Sequence, residues 1–400
     1  MFDQPGAGRT AVVRFTGQRS ELFGILVRGY LAMVPTIGLY RFWLITFKRR
    51  FYWSHTEIDG DALEYTGNAR QLLIGFLIAL AFFLPVYGVF FYLSTQGPTA
   101  ALIGYGVLGT LLWFVTGYAS YRARDFRLSR TLWRGIRFGQ KGNAWAYAVR
   151  RFLWSLLMVV TLGLAYPAMA GNLWRYAYNN TWYGDRPFAS SATWKTIAAP
   201  FYGSYAFIAL LLLACGLHYV MSDVGGKVIV GFEVALTVLV AWLAYFRFRA
   251  REVSLLGSTV TCGAAALKVQ IKGRALLGQF LVYVLASIGC LIIALAIGAL
   301  VFTAMLAPLF AEGGAPTATE VSHLMRANLL NIVVIVLGYL AFLASLAAMA
   351  ELFLGLGFWK LVANNTTVGG IDTLADVRPG AEDNSLGGEG LADALNVGAY

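Results

Sequence analysis

Six long apolar runs constrain this chain more than any other feature: Leu72–Leu93, Ala101–Ser120, Ile197–Met221, Ile229–Phe246, Leu276–Phe310 and Asn328–Trp359. A helix needs roughly 17–25 largely apolar residues to cross a bilayer, and every run supplies them. The last two exceed that length, which implies tilt or extension beyond the hydrocarbon. Of the 400 residues, 58% are hydrophobic and 13% charged, against about half and a quarter in a soluble domain. So much apolar surface cannot be buried in a core of this size, and lipid is the expected solvent. Residues 1–21 are polar and lack the pattern of a cleaved signal peptide.

Two further apolar runs are interrupted. Leu22–Leu44 contains Arg28, Gly29, Pro35, Gly38 and Arg41, and Arg151–Leu173 contains Thr161, Gly163 and Pro167. Basic residues collect on the cytoplasmic side of bacterial membrane proteins, and that rule discriminates between two topologies. If both interrupted runs cross, Lys and Arg divide almost evenly between the faces. If both enter and leave on one face, nearly all fall together, led by Tyr121–Arg151 and Arg247–Arg274. The second topology is expected. Only Ser94–Ala100, Ser222–Val228 and Ala311–Ala327 then lie outside, with both termini cytoplasmic. The formal charge of +11 reads as cations flanking spans. It implies anionic lipid at the cytoplasmic face as the partner, and no nucleic acid.

Similar segments recur along the chain. Met33–Leu39 resembles Met158–Leu164, and in the same register Thr56 meets Thr181. Trp174 then matches Trp359, and Asn179-Asn180-Thr181 matches Asn364-Asn365-Thr366. Internal repeats are therefore expected over about 22–71, 146–196 and 328–371. Alternating stretches follow: His55–Asp59 with Ala62–Gly67, Phe126–Arg130 with Gly135–Gly139, and Thr259–Cys262 with Leu267–Gly273. Period-2 patterns around Gly-containing turns read as hairpins, and isolated hairpins are marginal in water. The expected fold is an all-α polytopic membrane protein with about six full transmembrane helices and two broken or re-entrant segments. Its short hairpins would form a small cytoplasmic sheet. Residues 22–371 would make one integral-membrane domain, with 1–21 a cytoplasmic segment and 372–400 a disordered cytoplasmic tail.

The Phe15-Thr16-Gly17 opening, Glu21-Leu22-Phe23, Thr36-Ile37-Gly38-Leu39-Tyr40 with Trp43, and Thr56–Gly60 resemble the YjgN-like family of bacterial inner-membrane proteins. The resemblance covers nearly all of residues 10–372. The chain departs from the family pattern at His55, where Asn is usual, and at Ala165, where Tyr would follow the second Thr-x-Gly. The family is a domain of unknown function, so the resemblance implies a multi-pass inner-membrane location and no catalytic residues.

Ionisable side chains inside membrane segments are functional candidates because they are expensive there. Glu351 leads, followed by Glu233, Arg28 and Arg41. Glu351 would bind a cation or carry a proton, or else pair with Arg28 or Arg41. The two arginines would receive an anionic ligand or snorkel to the headgroups. Cys215, Cys262 and Cys290, with His55, His218 and His323, are too scattered for a metal site, and no catalytic motif is present. No cofactor, metal or catalytic residue is expected. A transporter or channel for small solutes or ions is the first reading, by analogy with broken segments that build midplane sites. A non-catalytic membrane scaffold or anionic-lipid-interacting protein is the alternative.

Overall fold

The computed structural model describes residues 8–310, 317, 319 and 329–380. Most of the expected outer loop 311–327, and residues 381–400 of the expected tail, lie outside the described residues. Strand β1 (Ala11–Phe15) buries Ala11, Val13 and Phe15 and exposes Val12 and Arg14, the alternation that one covered face produces. Helices α1 (Arg19–Met33) and α2 (Arg41–Ser54) follow as an antiparallel pair, and the chain returns as β2 (Thr56–Ile58) beside β1.

That strand–helix–helix–strand order recurs. The second unit is β3 (Asp61–Tyr65), α3 (Ala69–Ser94), α4 (Pro98–Ser129) and β4 (Thr131–Trp133). The third is β5 (Ile136–Gln140), α5 (Ala144–Val160), α6 (Tyr166–Asn179) and β6 (Thr181–Tyr183). The fourth is β7 (Arg186–Ser190), α7 (Trp194–Met221), α8 (Val224–Gly257) and β8 (Val260–Cys262). The fifth is β9 (Ala265–Val269), α9 (Gly273–Phe310), α10 (Leu329–Met349), a π-helical turn Ala350–Gly355, α11 (Leu356–Asn364) and β10 (Thr366–Gly369). Within each unit the two strands pair antiparallel, and β1 pairs with β10 to close a ten-stranded barrel.

The closed barrel corrects the expected all-α class with a small cytoplasmic sheet. An open set of hairpins would leave edges of unpaired N–H and C=O groups, and closure removes them. A second correction concerns Phe126–Arg130, expected as a strand: the first four residues end α4, and the strand begins at Thr131. A third concerns Asp372–Gly380, expected in a disordered tail. This segment packs at the barrel mouth, where Ile371 and Val377 are buried and the Asp185 N–H donates to the Arg378 carbonyl at 3.0 Å.

Two-residue turns join successive units at one rim. Asp59-Gly60 and Arg134-Gly135 have positive φ at both positions, the type I′ geometry whose twist matches paired strands. Because neighbouring strands are antiparallel, all five helical pairs leave from the opposite rim. At that rim Thr56, Thr131, Thr181 and Thr366 each start a strand, and each hydroxyl donates to the carbonyl four residues back, on Tyr52, Arg127, Ala177 and Val362. Such back-bonding competes with the helical ladder and helps end the helix.

One residue from every strand fills the barrel. The register sets Val13 against Ile58, Leu63 against Trp133, Phe138 against Tyr183, Phe188 against Cys262, and Leu267 against Val368. All ten belong to one apolar cluster, which continues into Phe51, Tyr52, Leu352 and Leu356 above and Ile371 and Val377 below. Burial pushes the Tyr183 phenol up to about 12 and the Cys262 thiol up to about 11, as desolvation disfavours both anions.

Candidate functional site

Among the described residues six helices are long and apolar enough to cross a membrane: Ala69–Ser94, Pro98–Ser129, Trp194–Met221, Val224–Gly257, Gly273–Val301 and Ile332–Asn364. They lie in the second, fourth and fifth units. The helices of the first and third units are shorter, 15 and 14 residues in one pair, 17 and 14 in the other.

Glu351 sits in the π-helical turn between α10 and α11 and is buried. Lys48 Nζ donates to its Oε2 at 2.7 Å, and the Tyr52 hydroxyl donates to its Oε1 at 2.8 Å. Both partners lie one turn apart on α2, so the pair ties the fifth unit to the first across the closure of the barrel. A π-turn widens the helix and frees carbonyls. Here Gln279 of α9 reaches across, its Nε2 donating to the Phe353 and Leu354 carbonyls at 2.8 and 3.0 Å. Gly355 leaves room for the acid, since a Cβ there would stand 3.2 Å from Glu351 Oε1.

The remaining sequence candidates are not gathered around it. Arg28 is exposed on α1. Arg41 opens α2 with its guanidinium 5.7 Å from the centre of the Phe42 ring. Glu233 of α8 faces His218 of α7, whose Nδ1 lies 3.0 Å from each carboxylate oxygen. Both side chains are 40% exposed. Of the roles open to Glu351, pairing with a cation is the one observed, and the cation is Lys48 rather than Arg28 or Arg41.

A second carboxylate is built like Glu351. Glu252 of α8 is buried, accepts from Arg249 Nη1 at 2.6 Å, and takes the Tyr166 hydroxyl at 2.5 Å. Burial and this carboxylate raise the Tyr166 pKa, so the phenol keeps its proton and donates it. Asp125 of α4, also buried, accepts from Arg122 at 2.8 Å. Each acid lies where a long helix meets the barrel rim, and each has a cation. Among the described residues no group of three or more His, Cys, Asp or Glu could hold a metal. Chemically, these sites fix helices; a base free to act on a substrate is not among them.

Six apolar helices rooted in a closed ten-stranded barrel define a polytopic membrane protein with a packed barrel beside its membrane layer. The chain belongs to a family of bacterial proteins of unknown function (DUF898), whose family model matches residues 10–276, in keeping with the YjgN-like resemblance. The matched region runs from β1 through β9 to the start of α9. No curated protein and no solved structure matches the chain.

Proposed function

We propose that this protein is a non-catalytic scaffold of the bacterial inner membrane, holding a sealed barrel against the cytoplasmic face and contacting anionic lipid there. The observation that carries this reading is the barrel interior. Five cross-strand apolar pairs occupy it, and Ile371 and Val377 cover the far rim. A conduit through the barrel would have to unpack that core, and packed interiors deform at high cost. The transport reading needs a polar passage beside Glu351, whose two oxygens are already bonded to Lys48 and Tyr52.

The cytoplasmic orientation follows from charge. The cations of Tyr121–Arg151 and Arg247–Arg274 fall at the barrel side of the long helices. Both described ends, β1 and the segment after β10, belong to the barrel and share that side. The two short pairs support reading 22–71 and 146–196 as copies of one unit, with 328–371 a third. They turn through equivalent bonds: Gly38 N–H to the Met33 carbonyl at 2.9 Å, Gly163 N–H to the Met158 carbonyl at 2.8 Å.

Reconstitution of the full chain into vesicles tests the scaffold reading. Efflux of potassium, protons and a small anionic dye should match protein-free vesicles of the same lipid. A rate several-fold above that background, abolished by Glu351→Gln in a folded protein, would restore the transporter.

A further inference from the structure

Where α8 leaves the apolar layer and α9 enters it, the two backbones meet at Gly273, and a Cβ there would stand 3.0 Å from the Arg247 Cα. Beside this contact lies a cavity of about 480 Å³. Phe246 and Leu277 give it an apolar wall, while Arg247, Arg251, Lys272 and Arg274 line it with positive charge and no carboxylate does. All four cations are exposed, and none of their side chains has a hydrogen-bond or ion-pair partner among the described residues. Glu252, the buried acid next to Arg251 in the chain, is already held by Arg249 and Tyr166.

Several other cations at this rim are engaged, although Arg70, Arg175 and Lys360 are exposed without a side-chain partner among the described residues. Arg124 donates to Thr181 Oγ1 at 2.9 Å, Lys141 lies 3.9 Å over the Trp182 ring, and Arg150 lies 4.2 Å over Tyr176. Four unpartnered cations converging from two helices onto one cavity repel each other, and a bound anion would relieve the part of that repulsion that solvent does not screen. The start of α9 adds to the same field. Helix α9 begins between Lys272 and Arg274. Those charges oppose the positive end of the helix dipole.

We propose that this cavity binds the phosphate group of an anionic phospholipid, with the glycerol and first methylenes against Phe246 and Leu277. This rests on the lipid-contacting reading above. The shared chemistry is a phosphate ester, and the apolar wall, continuous with exposed Leu243 on the lipid-facing part of α8, selects a lipid over a soluble phosphate. Lipid recognition by basic pockets between membrane helices follows from the attraction of near-surface cations for anionic headgroups.

Native mass spectrometry of the detergent-solubilised full chain reads bound lipid directly. With phosphatidylglycerol and phosphatidylcholine added separately, one phosphatidylglycerol should be retained at about tenfold lower concentration. The Arg251→Gln/Arg274→Gln double variant should lose that preference, and Arg150→Gln/Lys195→Gln should keep it, all with unchanged melting temperature. Inorganic phosphate in millimolar excess should not displace the lipid. Preference for phosphatidylglycerol that survives the double variant would overturn the cavity while leaving the lipid-contacting reading standing. No preference in the wild-type chain would overturn both. Displacement by inorganic phosphate would overturn the lipid in favour of a soluble ligand.

Discussion

The first and third units carry short helical pairs, whereas the second, fourth and fifth carry long ones, on strands of nearly the same length in the same barrel. At 1.5 Å per residue, the 15 residues of α1 reach about 22 Å, short of a hydrocarbon core about 30 Å thick. The 26 and 32 residues of α3 and α4 exceed it. One rim, one exit direction and two helix lengths predict two kinds of membrane contact. The short pairs end in apolar tips: Ile37 is 93% exposed and Leu162 80%, each with φ near +50°. A left-handed conformation costs a non-glycine residue about 1–2 kcal/mol, and Ile is β-branched as well. An apolar side chain held in that conformation at an exposed tip has its natural solvent in lipid.

The largest effect expected from this contrast is all-or-none. With Cys215 and Cys290 replaced, single cysteines at Gln96 and Asp223, on the tips of long pairs, should react with an impermeant thiol reagent from one face only. Cysteines at Arg70 and Arg186 should react from the other face only. Ile37→Cys and Leu162→Cys should react from neither until the membrane is dissolved. Cys262, buried with its thiol pushed up to about 11, supplies little thiolate near neutrality and should stay silent throughout. Reaction of Leu162→Cys from the face that reports Gln96 would mean that the third unit spans, and the contrast between the units would be lost.

A smaller effect tests how long and short units are joined. Glu351 of the fifth unit is anchored by Lys48 and Tyr52 of the first. Removing one partner of a buried pair leaves the other charge stranded, at a cost of about 3–5 kcal/mol. Lys48→Met and Glu351→Gln should each lower detergent-state stability by roughly that range. Glu233→Gln, from a pair with both side chains 40% exposed, should change it by less than about 1 kcal/mol. Equal losses at residues 351 and 233 would show that the closure pair is no better shielded than the pair near the far tips.

What was legible in the sequence divides along the same line. The six spans could be read because a lipid solvent demands an uninterrupted apolar run, and the short pairs because Gly38 and Gly163 interrupt theirs. The barrel could not be read. Its strands are three to five residues long, so period 2 marks local hairpins only, and partners such as Leu267 and Val368 are separated by whole membrane helices. The hairpin around Gly60 is legible because its turn chemistry is local, although the turn falls at Asp59-Gly60, one residue before the expected Gly60-Asp61. Pairings such as Val12 with Thr367, which close the barrel, have no local signature at all. Likewise Glu351 stood out as an acid in an apolar run, while Lys48, inside the Lys48-Arg49-Arg50 run, looked like one more loop cation.

The smallest predicted effect concerns the one rim position that departs from the others. Thr131 accepts from the Trp53 indole at 2.8 Å, Thr56 from Trp359 at 2.9 Å, and Thr181 from Arg124 at 2.9 Å, so a donor from one unit is received by the next. Trp174 of the third unit aligns with Trp359, and its receiving position in the fourth unit is Val260, which has no hydroxyl. The Trp174 indole nitrogen is accordingly buried without a partner, packed in the cluster that holds Leu256, one turn before Val260. Val260→Thr should supply the acceptor and raise stability by up to about 1 kcal/mol. The gain is capped because the Leu256 carbonyl, which a new hydroxyl would seek, already accepts both the backbone N–H and Oγ1 of Thr259, at 3.1 and 2.6 Å. A double-mutant cycle with Trp174→Phe isolates the contact. Trp174→Phe should cost more in the Val260→Thr background than in wild type. A coupling indistinguishable from zero would mean that the donor-to-next-unit rule stops at the third unit, and that the matching donors elsewhere on the rim are local accidents of packing.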